Sequence, residues 1–191
     1  MLSCATSDVD AVIASVRFFE TDYFSPEQQY SELNRKNDMS KKPTISGRKA
    51  FLQMLNYDIP GFALWRTNLI KQIGMPTESF NSDEAMQRIW ALNCREVAFS
   101  SACFGYRQSG NAIVKGLKAY HYASLLTQKR ILKEFSYSDF LFNAYAHRFE
   151  WQFLRSLLYL TRQFLKRRNV YSATEQSNIK HILFQVWNIF Y

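Results

Sequence analysis

Two adjacent acids, Asp83 and Glu84, stand at the start of a helix-like run in the segment ESFNSDEAMQRIWALNC, residues 78–94. A carboxylate within hydrogen-bond reach of a hydroxyl can take up its proton, and this typically contributes about 10²–10⁴-fold to a rate. Acids are also favoured in the first turn of any helix, here with Ser82 as the N-cap. The pattern therefore permits either a catalytic carboxylate or an ordinary helix start.

The elements around these acids are short strands and helices. DAVIASVRFF, residues 10–19, is rich in β-branched and aromatic residues and predicts a buried strand. Ser46 predicts the N-cap of a helix over GRKAFLQMLNY. That helix has one apolar face, made of Ala50, Phe51, Met54 and Leu55. Residues 83–95 predict a second helix, and EVAFSS and CFGYRQ predict two short strands after it. The buried side of the second helix is predicted to carry Met86, Ile89, Trp90 and Cys94.

Beyond Val114 the sequence predicts long helices with few turns between them. The apolar spacing marks a broad face on a helix around residues 149–165 and another around residues 179–190. The first face consists of Phe149, Phe153, Leu154, Leu157, Leu158, Phe164 and Leu165. Ser172 or Thr174 is the expected N-cap of the last helix. The predicted fold class is α/β and helix-rich, with an α/β segment over residues 1–113 and an all-helical, basic extension over residues 114–191.

The net charge of +8 is unevenly distributed along the chain. Up to Ile113 there are twelve basic and twelve acidic residues, whereas from Val114 onward there are twelve basic and four acidic ones. The whole excess therefore lies in the C-terminal part, which indicates an anionic partner such as a membrane surface or a polyanion. No helix-turn-helix or RNP-type signature accompanies the charge, so nucleic acid is the disfavoured partner.

The cysteines, the histidines and the lengths of the apolar runs argue against several classes of protein. The three cysteines include no CxxC pair, which suits a reducing, cytoplasmic compartment and argues against disulfides or a thiolate metal site. The three histidines share no ligand spacing. No apolar run approaches the roughly 20 residues that span a bilayer, and we expect no secretory signal at the N-terminus.

Four segments carry a resemblance to a known family: SDVDAVIASVRFFE, ISGRKAFLQMLNYDIPGFALWRTNLIKQIGMP, FNSDEAMQRIWALNCREVAF and CFGYRQSGNAI. Taken in this order they resemble the later half of bacterial family-2 glycosyltransferases of the GT-A fold, the kind encoded in capsule and O-antigen clusters. The third resembles that family's F-x-E-D-E helix start, and the fourth its closing Y-Y-R-x-x-x-x-S-I signature. The resemblance covers roughly residues 8–113.

The resemblance implies roles for particular residues. Asp83 takes the position of the general base that removes a proton from the acceptor sugar hydroxyl, with Glu84 beside it in the substrate site. Trp65 and Arg66 fall in the acceptor-side segment, where Trp65 is either a stacking platform for a sugar or plain core. Two residues at the chain's closing signature either approach the donor diphosphate or close the sheet, namely Tyr106 and Arg107. The family more often has an acid where Ser82 stands, and Trp, a spacer and Lys where this chain has Leu64, Trp65 and Arg66.

The resemblance also implies what the full enzyme needs beyond these segments. Such an enzyme binds a nucleotide-sugar donor in an N-terminal half and uses a divalent metal, Mn or Mg, to neutralise the diphosphate. We expect the chain to begin too late to contain that half or the metal ligands. Asp8 and Asp10 imitate a D-x-D motif but precede a strand, so they are interpreted as strand-entry residues. The expected activity is sugar transfer to a glycan or lipid-linked acceptor in surface polysaccharide synthesis. We expect the chain to be inactive without the missing half.

The basic helix around residues 148–166 leaves an alternative open. Arg148, Arg155 and Arg162 recur every seven residues beside the apolar face. This pattern suits a helix lying on an anionic membrane, peripheral to the inner face of the cytoplasmic membrane, or a helix packed in a bundle with solvated charges. The alternative function is therefore a non-catalytic helical module that binds a membrane surface or a partner protein.

Overall fold

The structure, a computed structural model, describes residues 5–19, 32–33, 44–75, 82–107, 117–135 and 140–188. It confirms the predicted helix-rich α/β class: a mixed sheet accompanies six α-helices in the described residues. The chain divides into two units, one of residues 1–75 and 86–115 and the other of residues 76–85 and 116–191. The predicted boundary between residues 113 and 114 lies outside the described residues.

The sheet of the first unit is built around two parallel strands, β1 (Val9–Phe19) and β5 (Glu96–Arg107). β1 confirms the predicted buried strand, and its first residues are nearly all buried. Three short strands add antiparallel pairs to this centre. β2 (Glu32–Leu33) and β4 (Ala63–Trp65) pair with β1, and β3 (Thr44–Ser46) pairs with β5.

β5 is one continuous strand where the sequence predicts two short ones. The pairing with β1 shifts between Ile13 and Ser15, so β5 carries extra residues there. The Ser100 hydroxyl accepts a hydrogen bond from the Ala102 N–H at 2.9 Å, and the Ser15 hydroxyl donates to the Ala102 carbonyl at 3.2 Å. These serine bonds hold a bulge that interrupts the apolar pattern without ending the strand.

Three helices belong wholly or mainly to the first unit: α1 (Gly47–Leu55), α2 (Thr67–Ile73) and α3 (Ser82–Leu92). The predicted cap is confirmed, because the Ser46 hydroxyl accepts from the Lys49 N–H. The whole predicted apolar face of α1 is buried. Gly47 allows α1 to approach α3 closely, since a Cβ there would overlap the carbonyl oxygens of Ala91 and Cys94. The core cluster consists of Ala11, Ile13, Ala50, Met54, Ile59, Ala91, Cys94 and Val97.

The second unit packs α4 (Ser124–Lys133), α5 (Phe140–Arg167) and α6 (Ala173–Trp187) around an apolar core. Ser172 is the N-cap of α6: its hydroxyl accepts from the Glu175 N–H, while the Glu175 carboxylate accepts from the Ser172 N–H. The core cluster consists of Tyr122, Leu125, Phe153, Leu157, Leu160, Phe164, Tyr171, Ile179, Leu183 and Val186. No described helix combines the length and apolar character needed to cross a bilayer.

Candidate functional site

Asp83 lies in the first turn of α3, and its side chain is exposed to solvent. Glu84, the next residue, is half-buried and makes a polar contact of its own. The acids follow Ser82, which is the first helical residue of α3. A carboxylate at this end of a helix faces the unpaired N–H groups of the first turn, which favour negative charge. The position therefore suits both alternatives that the sequence leaves open.

The remainder of α3 is anchored in the first unit, as the sequence predicts. Four side chains of this segment are buried, namely Met86, Ile89, Trp90 and Cys94. The Trp90 indole N–H donates to the Gly74 carbonyl at 3.2 Å. At the other end of the helix, the Asn93 amide donates to the Ile89 carbonyl at 2.8 Å and the Cys94 thiol to the Trp90 carbonyl at 3.3 Å. These contacts fix where α3 ends and β5 begins.

Trp65, the last residue of β4, is half-buried. Its ring meets the ring of Trp90 edge-on, with centroids 5.5 Å apart, and packs against the core cluster of the first unit. Leu64 beside it is 46% exposed because successive residues of a strand point to opposite faces. Part of the Trp65 ring is thus packed in the core. Its use as a stacking platform for a sugar stays a prediction.

Arg66 is bound to the entrance of β1. Its Nε donates to the Asp10 carboxylate at 2.9 Å, and its Nη2 donates to the carbonyls of Thr6, Ser7 and Val9 at 3.1, 3.0 and 2.8 Å. The side chain is still 40% exposed. The guanidinium therefore holds the strand entry, and its expected role toward an acceptor stays a prediction.

Asp10 is the buried centre of this arrangement, with a side chain only 6% exposed. Arg95 contacts it three times: Nη2 to Oδ1 at 2.7 Å, Nε to Oδ2 at 2.9 Å and the backbone N–H to Oδ2 at 2.9 Å. These hydrogen bonds from Arg95 lower the pKa of Asp10 below its ordinary value, against the opposing effect of burial. We call Asp10, Arg66 and Arg95 the strand-entry cluster; it joins β1, the end of β4 and the start of β5.

The prediction of Asp10 as a strand-entry residue is correct, but neither Arg66 nor Arg95 is predicted as its partner. The available signal was one acid at the start of an otherwise apolar strand, since a buried carboxylate requires a cation or several N–H donors. Nothing in the spacing indicates which arginine supplies them. Arg66 and Arg95 lie 56 and 85 residues further along the chain.

Tyr106 and Arg107 end β5, where they pair with Phe18 and Phe19 of β1. The Tyr106 ring is 43% exposed and contacts the rings of Phe18 and Phe62, with centroids 5.7 and 5.8 Å away. This arrangement accounts for Tyr106 as part of the sheet's aromatic edge. Approach of Tyr106 and Arg107 to a donor diphosphate stays a prediction.

The predicted site residues of the first unit lie at two places along β1 in the described structure. Trp65 aligns with Ala11 of β1, and Tyr106 aligns with Phe18, seven residues further along the same strand. At about 3.3 Å per residue, these two positions are about 23 Å apart along β1. Asp83 belongs to the part of α3 that is grouped with the second unit. Trp65 and Tyr106 therefore lie at different levels along the sheet.

The described residues hold no group of three His, Cys, Asp or Glu side chains placed to bind a metal ion. Asp10 does not fit the divalent metal expected for the full enzyme, because both of its oxygens already accept hydrogen bonds from arginine. Asp8 is 78% exposed and 3.8 Å from Arg95. A cation at this carboxylate pair would have to displace two guanidinium groups.

The two described cysteines differ in environment. Cys94 is buried, and burial raises the pKa of its thiol to about 12, so it stays protonated at neutral pH. Cys103 is exposed on β5, and neither cysteine forms a disulfide. Cys94 is thus a small core residue and not a nucleophile.

Comparison of the chain with protein-family models, with curated proteins and with solved structures finds no match.

Proposed function

We propose that the chain is the acceptor-side portion of an inverting, family-2-like glycosyltransferase of the GT-A fold. The full enzyme would transfer a sugar from a nucleotide-sugar donor to a glycan or lipid-linked acceptor in surface polysaccharide synthesis. The observation that carries the proposal is the exposed carboxylate of Asp83 in the first turn of a helix that leads directly into β5. The resemblance of the four segments supports it; their described parts form β1, then α1 with β4 and α2, then α3 with the start of β5, and last the end of β5.

Asp83 has the chemical properties that the proposed reaction requires. As the acceptor hydroxyl attacks the anomeric carbon, its proton passes to the Asp83 carboxylate while the bond from the sugar to the diphosphate breaks. The side chain is exposed, so an acceptor hydroxyl can reach it without displacing core residues. The remainder of α3 is buried and fixed by the Trp90 and Asn93 hydrogen bonds, which would hold the base in one orientation.

The proposal requires that other residues bind the donor. A divalent metal supplies neutralisation of the diphosphate in such enzymes, and the strand-entry cluster does not fit it. Asp10, Arg66 and Arg95 bind one another, so they do not offer a vacant anion site or cation site. On this proposal, a separate donor half holds the nucleotide and the metal.

We predict that the isolated chain does not bind nucleotides tightly. Isothermal titration calorimetry with UDP and GDP in the presence of Mn²⁺ is the measurement, because it detects binding without requiring turnover. We expect no heat of binding at micromolar nucleotide. Tight, Mn²⁺-dependent binding by this chain alone would mean that it has a donor site of its own and would contradict the division into halves.

We place the proposed enzyme in the cytoplasm, peripheral to the inner face of the cytoplasmic membrane, where lipid-linked acceptors are met. The excess of twelve basic over four acidic residues beyond Val114 supports this location.

A second candidate function is a non-catalytic helical module that binds a membrane surface. One observation favours it: α5 exposes large apolar side chains beside arginines, and these need no catalytic site. Substitution of Asp83 distinguishes the two candidate functions, because this residue matters only if the chain takes part in sugar transfer.

A further inference from the structure

The helix α5 has two apolar sides, where the sequence predicts one broad face. One side is buried in the core of the second unit, and its buried residues are Phe142, Ala146, Phe153, Leu157, Leu160 and Phe164. Leu158 and Leu165, predicted as part of the same face, are 58% and 69% exposed. The residues of α5 that pack in the helical core are therefore not the residues that are exposed and available to contact a membrane.

The second apolar side is a row of exposed side chains at seven-residue spacing. Trp151, Leu158 and Leu165 are 63%, 58% and 69% exposed. Residues seven apart in a helix lie almost above one another, so these three form a line along the helix. Tyr159 is 57% exposed and lies about 100° around the helix from Leu158. Scattered exposed apolar residues are ordinary, but a continuous line of them is typical of a binding surface.

A parallel row of arginines accompanies the apolar row. Arg148, Arg155 and Arg162 are exposed, and each precedes an apolar member by three residues. Three residues correspond to about 300° of helical rotation, so the rows run side by side, about 60° apart, for about 25 Å. We call the six residues of the two rows the α5 outer face. Glu150 is the one acid of the described helix, and it pairs with His147 at 3.1 Å.

We propose that the α5 outer face binds the surface of an anionic lipid bilayer. The apolar row would enter the boundary between headgroups and acyl chains, and the arginines would bind lipid phosphates from beside it. The helix lies parallel to the bilayer because its opposite side is buried in the core of the second unit. Trp151 and Tyr159 suit this depth, since their rings combine an apolar body with a polar group.

Charge and polarity favour this occupant over two others. A second copy of the chain would bring arginine rows together without acids to neutralise them, which is unfavourable at an interface. A nucleic acid would satisfy the arginines but leave Trp151, Leu158 and Leu165 in water. An anionic bilayer satisfies both rows at once. The proposal extends the peripheral location in the proposed function and does not depend on Asp83, so either can fail alone.

The test uses the full chain and sedimentation with vesicles of phosphatidylcholine, with and without phosphatidylglycerol. We expect binding to the anionic vesicles only, weakened by added salt. Replacing Arg148, Arg155 and Arg162 together by Gln is expected to weaken this binding about 100-fold, since each basic residue near such a surface contributes about tenfold or less. Replacing Leu158 and Leu165 by Ser is expected to weaken it about tenfold, because less apolar area leaves water.

A matched control removes three charges elsewhere. Lys49→Gln, Lys71→Gln and Lys180→Gln change exposed lysines on other helices and are expected to keep binding within about threefold. Circular dichroism of each variant separates loss of binding from loss of fold. Equal binding to both kinds of vesicle, or equal losses in the arginine variant and the lysine control, would overturn the proposal. Self-association that Leu158→Ser and Leu165→Ser abolish would instead assign the face to a second copy.

Discussion

Asp83→Asn is expected to lower the rate of sugar transfer about 10²–10⁴-fold when the chain is assayed together with a nucleotide-binding half. Asparagine has nearly the same shape, but its amide cannot accept the hydroxyl proton in the transition state. Because Asp83 is exposed, the free energy of unfolding is expected to change by no more than about 0.5 kcal/mol. The initial rate of transfer to the acceptor is the quantity to measure.

The control for this prediction is Glu96→Gln, which removes an exposed carboxylate at the start of β5. It is expected to leave the rate unchanged, because Glu96 has no proposed part in the reaction. Asp83→Glu keeps a carboxylate and is expected to retain part of the rate. If Asp83→Asn transfers sugar as fast as the original chain, Asp83 is an ordinary first-turn residue and the proposed mechanism is wrong.

Asp10→Asn is expected to destabilise the protein by about 2–3 kcal/mol. The change removes the charge that binds two guanidiniums while the site stays buried, so it breaks the link between β1, β4 and β5. The cost stays below that of a fully buried ion pair, because Arg66 and Arg95 are 40% and 57% exposed and can regain water. Urea denaturation of both proteins at neutral pH measures the difference.

The pH dependence of the stability is a second test of the strand-entry cluster. Because the folded state lowers the pKa of Asp10, its stabilising contribution is fully present above the ordinary value of 3.8 and is lost as the pH falls through the lower folded value. We expect the stability difference between Asp10→Asn and the original chain to shrink below about pH 4. Asp8→Asn, at the exposed neighbour, is expected to change stability by less than about 0.5 kcal/mol at neutral pH. A difference that is constant with pH would show that the Asp10 charge is not what stabilises the fold.

The helical elements could be predicted because their causes are local. Ser46 and Ser172 cap helices through bonds to residues three positions away, and the apolar face of α1 repeats at helical spacing. The α/β class followed from the apolar strand around residues 9–19 next to such helices. Short-range periodicity and capping are directly visible in a sequence.

The remaining features depend on contacts that spacing does not encode. Asp10 meets Arg66 and Arg95 only because β1 pairs with β4 and β5. The bulge at Ser100 made one strand look like two, since its polar residues break the apolar pattern. The sequence predicts one broad apolar face that includes Leu158 and Leu165, because an arc of apolar residues does not reveal how much of it neighbouring helices cover.

The most direct test of the proposed function is sugar transfer by this chain mixed with a nucleotide-binding half supplied as a separate polypeptide. Each polypeptide is assayed alone and together, with radiolabelled nucleotide sugars, Mn²⁺ and a lipid-linked acceptor. We expect transfer only from the mixture, because one half would bind the donor and this chain would present Asp83 to the acceptor. Transfer by the nucleotide-binding half alone, at the rate of the mixture, would contradict the proposal.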